Sequence, residues 1–188
     1  ATLVILILSL YFMASLNRFK GFIYSLVPAS KREKFHDIAE QIATSVGRYV
    51  IGQVTIASIN AILSYIFMSI VGIPFALVLA FIILLLGLIP LVGTVTGAAI
   101  VSLVALSVSP TTALIAAIYY LVYMQIESYL ISPRIMNKAV AVPGAVVVVA
   151  ALSGGALLGV LGALVAIPVA ASAMLIIRQI LVPHQNSK

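Results

Sequence analysis

From Tyr49 to Ile126 the chain carries no formal charge. A soluble surface cannot be built from such a run, because an ordinary soluble domain holds about a quarter of its residues as charged side chains. Across all 188 residues only 7% are charged and 64% are hydrophobic, with a mean hydropathy of +1.30. The solvent that accepts such a surface is the hydrocarbon of a bilayer. Inside hydrocarbon a helix satisfies its own backbone polar groups, so the expected fold class is all-α, a polytopic membrane helix bundle.

Clusters of polar residues and helix breakers divide the chain, which reads as a single membrane domain over 1–188. Residues 1–16 begin inside an apolar run and read as the end of a transmembrane helix, so the chain is expected to be the C-terminal portion of a longer protein. Residues 30–46 read as an amphipathic interfacial helix. Ser30 and Glu33 have capping-box spacing, and Phe35, Ile38, Ile42 and Val46 share one face. Residues 47–71 follow as a transmembrane helix of about 37 Å, enough to cross with some tilt. Residues 74–106 are too long for one crossing and barely enough for two, and Gly87, Pro90, Gly93 and Gly97 interrupt them. An interrupted or re-entrant hairpin fits them best. Pro110 opens a further transmembrane helix, 111–131. After a basic loop at 132–138, a second interrupted hairpin is expected over 143–180, broken by Gly154, Gly155, Gly159, Gly162 and Pro168.

The two hairpins look like a repeat. Val71-Gly72-Ile73-Pro74 opens one and Val140-Ala141-Val142-Pro143 the other, and a longer helix precedes each. Paired Gly/Pro-interrupted apolar segments are the sequence pattern that points to a transporter site. The two breaks, near Pro90 and Gly154-Gly155, are expected to face each other near the bilayer midplane.

The net charge of +6 comes from short basic clusters between apolar runs. That pattern marks loops facing the cytoplasm, and Arg178 and Lys188 place the C-terminus there too. The charge is not a nucleic-acid stripe. With no cysteine, and with His36 and His184 far apart, neither a metal nor another cofactor is expected. No phosphate-binding glycine loop and no nucleophile–histidine constellation can be assembled, which argues against an enzyme.

Few residues remain that could carry chemistry. Glu127 is the one acidic residue after Glu40. A carboxylate inside a membrane is costly enough to be a functional hypothesis, as a proton relay or a cation ligand. The competing reading pairs it with Arg134 or Arg48 to fix helix packing. Gln53, Asn60 and Ser64 recur at helical spacing, either as a polar path or as inter-helix hydrogen bonds. Gly155 and Gly159 also read as a close-packing GxxxG pair. The clustered tyrosines, Tyr119, Tyr120, Tyr123 and Tyr129, read as packing or interfacial aromatics.

Five stretches, in order, carry a family resemblance. They are Gly47-Arg48-Tyr49-Val50-Ile51-Gly52-Gln53, Val71-Gly72-Ile73-Pro74-Phe75-Ala76-Leu77, Leu88-Ile89-Pro90-Leu91-Val92-Gly93, the run from Gln125 to Ile135 with Glu127 and Pro133, and Leu152 to Ala171 with Gly154, Gly155, Gly159 and Pro168. In these the chain resembles the autoinducer-2 exporter family of bacterial membrane proteins. The resemblance implies a multi-pass transporter of the bacterial inner membrane, forming a homo-oligomer within membrane lipid. The implied cargo is a small polar solute, with the quorum-sensing signal autoinducer-2 as one candidate. It leaves open a sodium(lithium)/proton antiporter that takes a monovalent cation, and a membrane scaffold that transports nothing. Two positions depart from the family pattern: Thr94 stands where proline is frequent, and Ala156 where an acidic residue is common.

Overall fold

The computed structural model describes residues 2–25, 27–90, 92–139 and 144–177. Among them the secondary structure is helical throughout. The chain divides into two compact units, 1–43 and 44–188.

In the first unit, α1 covers Thr2–Ser25 and α2 opens at Ala29. The helix expected to end at residue 16 thus continues through the basic residues, and Ser30 lies inside the first turn of α2 rather than ahead of it. Lys20 Nζ sits 2.7 Å from Glu40 Oε1, and the Tyr24 hydroxyl donates to the same oxygen at 3.1 Å. Tyr24 also packs edge-on against Phe35 and lies beside His36. Of the face drawn for the amphipathic segment, Ile38 is buried and Phe35 is exposed.

The second unit holds the rest of α2, which ends at Val71. Gly47 does not end the helix, since one glycine in a helix interior costs only about 1 kcal/mol. The stop comes at Gly72, whose φ is 79°. Ile73 N–H reaches back to the Met68 carbonyl at 2.9 Å and its side chain is buried. This is the Schellman arrangement, with proline following because it cannot continue a helix. The Val-Gly-Ile-Pro string is therefore a helix stop.

The first hairpin consists of α3 (Ala76–Gly87) and α4 (Val92–Leu106). The two run antiparallel. A methyl group at Gly93 would collide with the Leu86 carbonyl, and one at Gly97 would touch Ile83. At 12 and 15 residues the arms reach about 18 and 22 Å, short of the ~30 Å hydrocarbon thickness. Next is α5 (Pro110–Ile126), with Pro110 in its first turn and Ser109 as N-cap, whose hydroxyl accepts from Thr112 N–H.

Residues 132–138 are helical rather than a loop. A π-helical turn, Glu127–Ile131, joins α5 to α6 (Ser132–Ala139). Pro133 has no N–H for the Tyr129 carbonyl, and a widened turn lets the helix continue past it.

The helix α7 (Gly144–Ile176) is two arms, because Leu158 and Gly159 leave helical geometry. Gly159 has φ 63° and ψ −143°, a region open to glycine alone. The arms fold back so closely that a methyl on Gly154 would collide with the Gly162 carbonyl, and one on Gly162 with the Gly154 carbonyl. The close pair is thus Gly154–Gly162 across the turn, not Gly155–Gly159 along one helix. Pro168 lies inside the second arm. Val140 to Pro143, Arg178 and Lys188 fall outside the described residues, so the repeat's second opening and the C-terminal charge pattern do too.

Each hairpin has its own seat. Leu79, Ala80, Ile83, Val101 and Ala105 of the first pack with Ala61 and Met68 of α2 and with Ala116 and Tyr120 of α5. Ala151 and Ile167 of the second pack with Tyr49, and Met136 covers them. Burial is inverted relative to a soluble domain. Ile70, Leu103, Leu121 and Leu157 are 64–81% exposed, whereas Asn60 and Ser64 are 1% and 0% exposed. Such an apolar exterior calls for lipid.

Gly159→Ala is expected to destabilise the second hairpin by about 1–3 kcal/mol, the cost of forcing a side chain into that backbone region. Gly47→Ala, with open space around it, should leave stability unchanged or slightly raised. Thermal unfolding in detergent distinguishes the two variants.

Candidate functional site: the broken hairpin beside Glu127

Where α3 ends, no backbone N–H among the described residues reaches the Gly87 carbonyl. Gln53 of α2 supplies the donor, its Nε2 donating to Gly87 O at 2.7 Å. The approach is close because Gly87 has no side chain: a Cβ there would sit 3.0 Å from that of Ala57. Across the turn, Gly93 N–H donates to Ile89 O at 2.9 Å and Val92 N–H to Pro90 O at 2.7 Å. Pro90 sits at the turn, flanked by Gly87 at the end of α3 and Gly93 at the start of α4.

One residue after Gly93, Thr94 extends its hydroxyl 3.1 Å from both carboxylate oxygens of Glu127. A carboxylate in an apolar setting needs donors, and here a side-chain hydroxyl provides one. Tyr123, one turn earlier on α5, is buried with its hydroxyl facing Glu127, and among the described residues that hydroxyl completes no hydrogen bond. Glu127 itself opens the π turn, a feature that recurs at functional sites.

The structure departs from the sequence reading on Glu127's partner. Among the described residues no cation lies within ion-pair distance of Glu127. Arg48 and Arg134 are both exposed. Arg134 is seven residues along the same helix, about 10 Å in rise, too far for an ion pair. The partner is Thr94, which stands out in the sequence only as a departure from a family pattern. Asn60 and Ser64 are buried together further along α2, with Ser64 Oγ donating to Asn60 Oδ1 at 3.1 Å. Gly154, Gly155, Gly159 and Pro168 all lie in the second hairpin, apart from these polar contacts. Among the described residues no group of three or more metal-ligating side chains forms.

A groove of about 640 Å³ opens between α2 and α3, lined by Ile62, Leu77, Val78, Phe81 and similar residues. Its walls are apolar, so it suits an acyl chain rather than a polar solute.

The sequence profile described as AI-2E family transporter matches residues 1–181. The chain belongs to that family. Relatives carrying the name "Putative transport protein" include YueF of Bacillus subtilis (strain 168), 29% identical over 85% of this chain and 43% of its own length. YrrI of the same strain is 27% identical over 86% of this chain and 46% of its own length. MT0215 of Mycobacterium tuberculosis (strain CDC 1551 / Oshkosh) is 29% identical over 91% of this chain and 47% of its own length. The chain thus spans less than half the length of these relatives. No solved structure matches it. Family membership and the apolar exterior together make this a membrane protein of a family described as transporters.

Gln53→Met removes the donor from the Gly87 carbonyl while keeping side-chain length. Leaving that buried carbonyl unpaired should cost about 1–3 kcal/mol. Equilibrium unfolding in mixed detergent micelles measures it, and Gln53→Glu offers no substitute donor when ionised.

Proposed function

We propose that the protein moves a small polar solute across the bacterial inner membrane, through a path that passes the turn of the first hairpin. One observation carries this reading: the Thr94–Glu127 hydrogen bond lies immediately after a helix break whose carbonyl is capped from α2. Short helix arms that stop within the apolar layer bring polar backbone to a depth that ordinary spanning helices keep dry. In this proposal Glu127 couples solute movement to a change in its own charge or hydrogen bonding. Family membership supports autoinducer-2 as a solute to try first. A homo-oligomer and a cytoplasmic C-terminus belong to the same proposal.

A second reading, cation/proton exchange, is favoured by a specific feature of Glu127. Its carboxylate has a hydroxyl partner and no counter-cation within 4 Å among the described residues. Such a group is free to exchange a proton for a metal cation. A scaffold that transports nothing has less support, because it gives the capped break and the unpaired carboxylate no task.

Flux into proteoliposomes carrying the full-length protein tests these readings. Labelled autoinducer-2 flux that depends on Thr94 and Glu127 is the expected result. Glu127→Gln should lower coupled flux about tenfold or more, the size of effect expected when a transition state loses about 1.4 kcal/mol of stabilisation. Proton movement on adding sodium or lithium, lost in Glu127→Gln and without signal flux, selects the exchanger. No flux of either kind selects the scaffold.

A further inference from the structure

A second set of polar groups lies in the seam between α2 and α5. Asn60 and Ser64 on one side, and Tyr120 and Tyr123 on the other, are each 3% exposed or less. Tyr120 donates to Ser64 Oγ at 3.0 Å, and Ser64 donates to Asn60 Oδ1 at 3.1 Å. Among the described residues, Asn60 Nδ2 and the hydroxyls of Tyr119 and Tyr123 are buried without a hydrogen-bond partner, the Tyr123 hydroxyl facing Glu127. Buried orphans of this kind are few in native proteins, and several together in one seam point to bound water.

The rings hold these hydroxyls in place. Tyr119 stacks on Phe67 with centroids 3.9 Å apart, and Tyr119 and Tyr123 lie near parallel at 6.3 Å. On α5, positions 119 and 120, then 123, then 127 occupy successive turns of one face. From Tyr120 to Glu127 the rise is about 10 Å, a distance a few waters at ordinary hydrogen-bond spacing can bridge. The charged group at the end of this row is Glu127, which Thr94 of α4 faces; Arg48 and Arg134 are exposed.

We propose that the α2–α5 seam is a hydrated proton path, in which water held by Asn60, Tyr119 and Tyr123 connects the Ser64–Tyr120 pair to the Glu127 carboxylate. In each step a water or tyrosine O–H bond breaks and a new O–H bond forms on the next oxygen towards Glu127. The donor oxygen regains a proton from the water behind it, and the outermost water of the row takes its proton from a hydronium ion of the bulk solution. Every bond broken is matched by one formed, no electron is transferred, each tyrosine ends neutral, and the carboxylate ends as a carboxylic acid. The proposal deepens the reading of Glu127 as the coupling residue and names the route by which its proton arrives.

The test follows the Glu127 carboxyl by infrared spectroscopy, with the full-length protein in nanodiscs at acidic pH. Its band is identified as the one lost in Glu127→Gln. After transfer to heavy water, exchange of that proton in Tyr123→Phe should fall about tenfold, to the slower rate set by the hairpin turn alone. Exchange should be unchanged in Tyr129→Phe, whose side chain is 76% exposed. Equal rates in wild type and Tyr123→Phe overturn the path. Radiolytic hydroxyl-radical labelling of the wild type keeps the proposal falsifiable should Tyr123→Phe fail to fold. Modification of the buried Tyr123 supports bound water beside it, and its protection shows a dry seam and overturns the path. If proteoliposome flux survives Glu127→Gln while exchange still slows in Tyr123→Phe, the coupling role fails and the path stands. If flux is lost in Glu127→Gln while exchange in Tyr123→Phe keeps the wild-type rate, the path fails and the coupling role stands.

Discussion

A helix that stops inside an apolar environment leaves carbonyls without donors, and among the described residues no backbone donor reaches the Gly87 carbonyl. The Gln53 amide meets it from α2. The remaining features of the first hairpin depend on that bond. It allows α3 to end after 12 residues, the chain to turn at Pro90, and α4 to start beside its partner with Thr94 one residue past the contact. Without a donor at that depth, the break would carry the desolvation penalty of an unpaired peptide group. Glycine at 87 and 93 lets the helices approach closely enough for these bonds to form.

The two hairpins solve the same problem differently. In the first, proline stops the helix and a side chain from another helix satisfies the freed backbone. In the second, Gly159 reverses the chain in a backbone region closed to other residues, and Gly154 and Gly162 let the arms touch. Among the described residues, polar side chains of neighbouring helices, Gln53 and Glu127, reach the first hairpin, and no such contact forms at the second. Ala156, where the family pattern often has an acidic residue, fits that asymmetry. The proposed chemistry of this chain therefore lies between α2, the first hairpin and α5.

Much of the fold is legible in the sequence because apolar runs and helix breakers are local signals. Val71 to Pro74 mark a break, and Pro110 marks a start. Residues 30–46 and 47–71 are not legible as one helix, because the shift from polar to apolar composition looks like a boundary while the backbone has no reason to break. The helix through Pro133 is hidden by the π turn that accommodates the proline. Glu127 stands out as a lone carboxylate, but its partner does not. Threonine at 94 has no charge to mark it, and a hydroxyl brought close by a helical hairpin leaves no spacing signal along the chain. Tyr119 and Tyr123 read as packing aromatics, and their rings do pack. Only the fold shows that their hydroxyls are buried without partners.

The most direct test of the central claim, that the turn of the first hairpin is a polar site within the membrane, uses the chain's lack of cysteine. Single cysteines introduced at Thr94 and at Leu121 in the full-length protein, with any cysteine outside these 188 residues replaced by serine, would be treated with a membrane-impermeant maleimide in lipid vesicles. Thr94→Cys, half-buried beside Glu127, should react, and reaction should slow when transported solute is present. Leu121→Cys, exposed on the outer surface but facing lipid, should stay unlabelled. Labelling at Leu121 with protection at Thr94 would mean that the apolar face meets water and the break is dry, and the proposed transport site would be wrong.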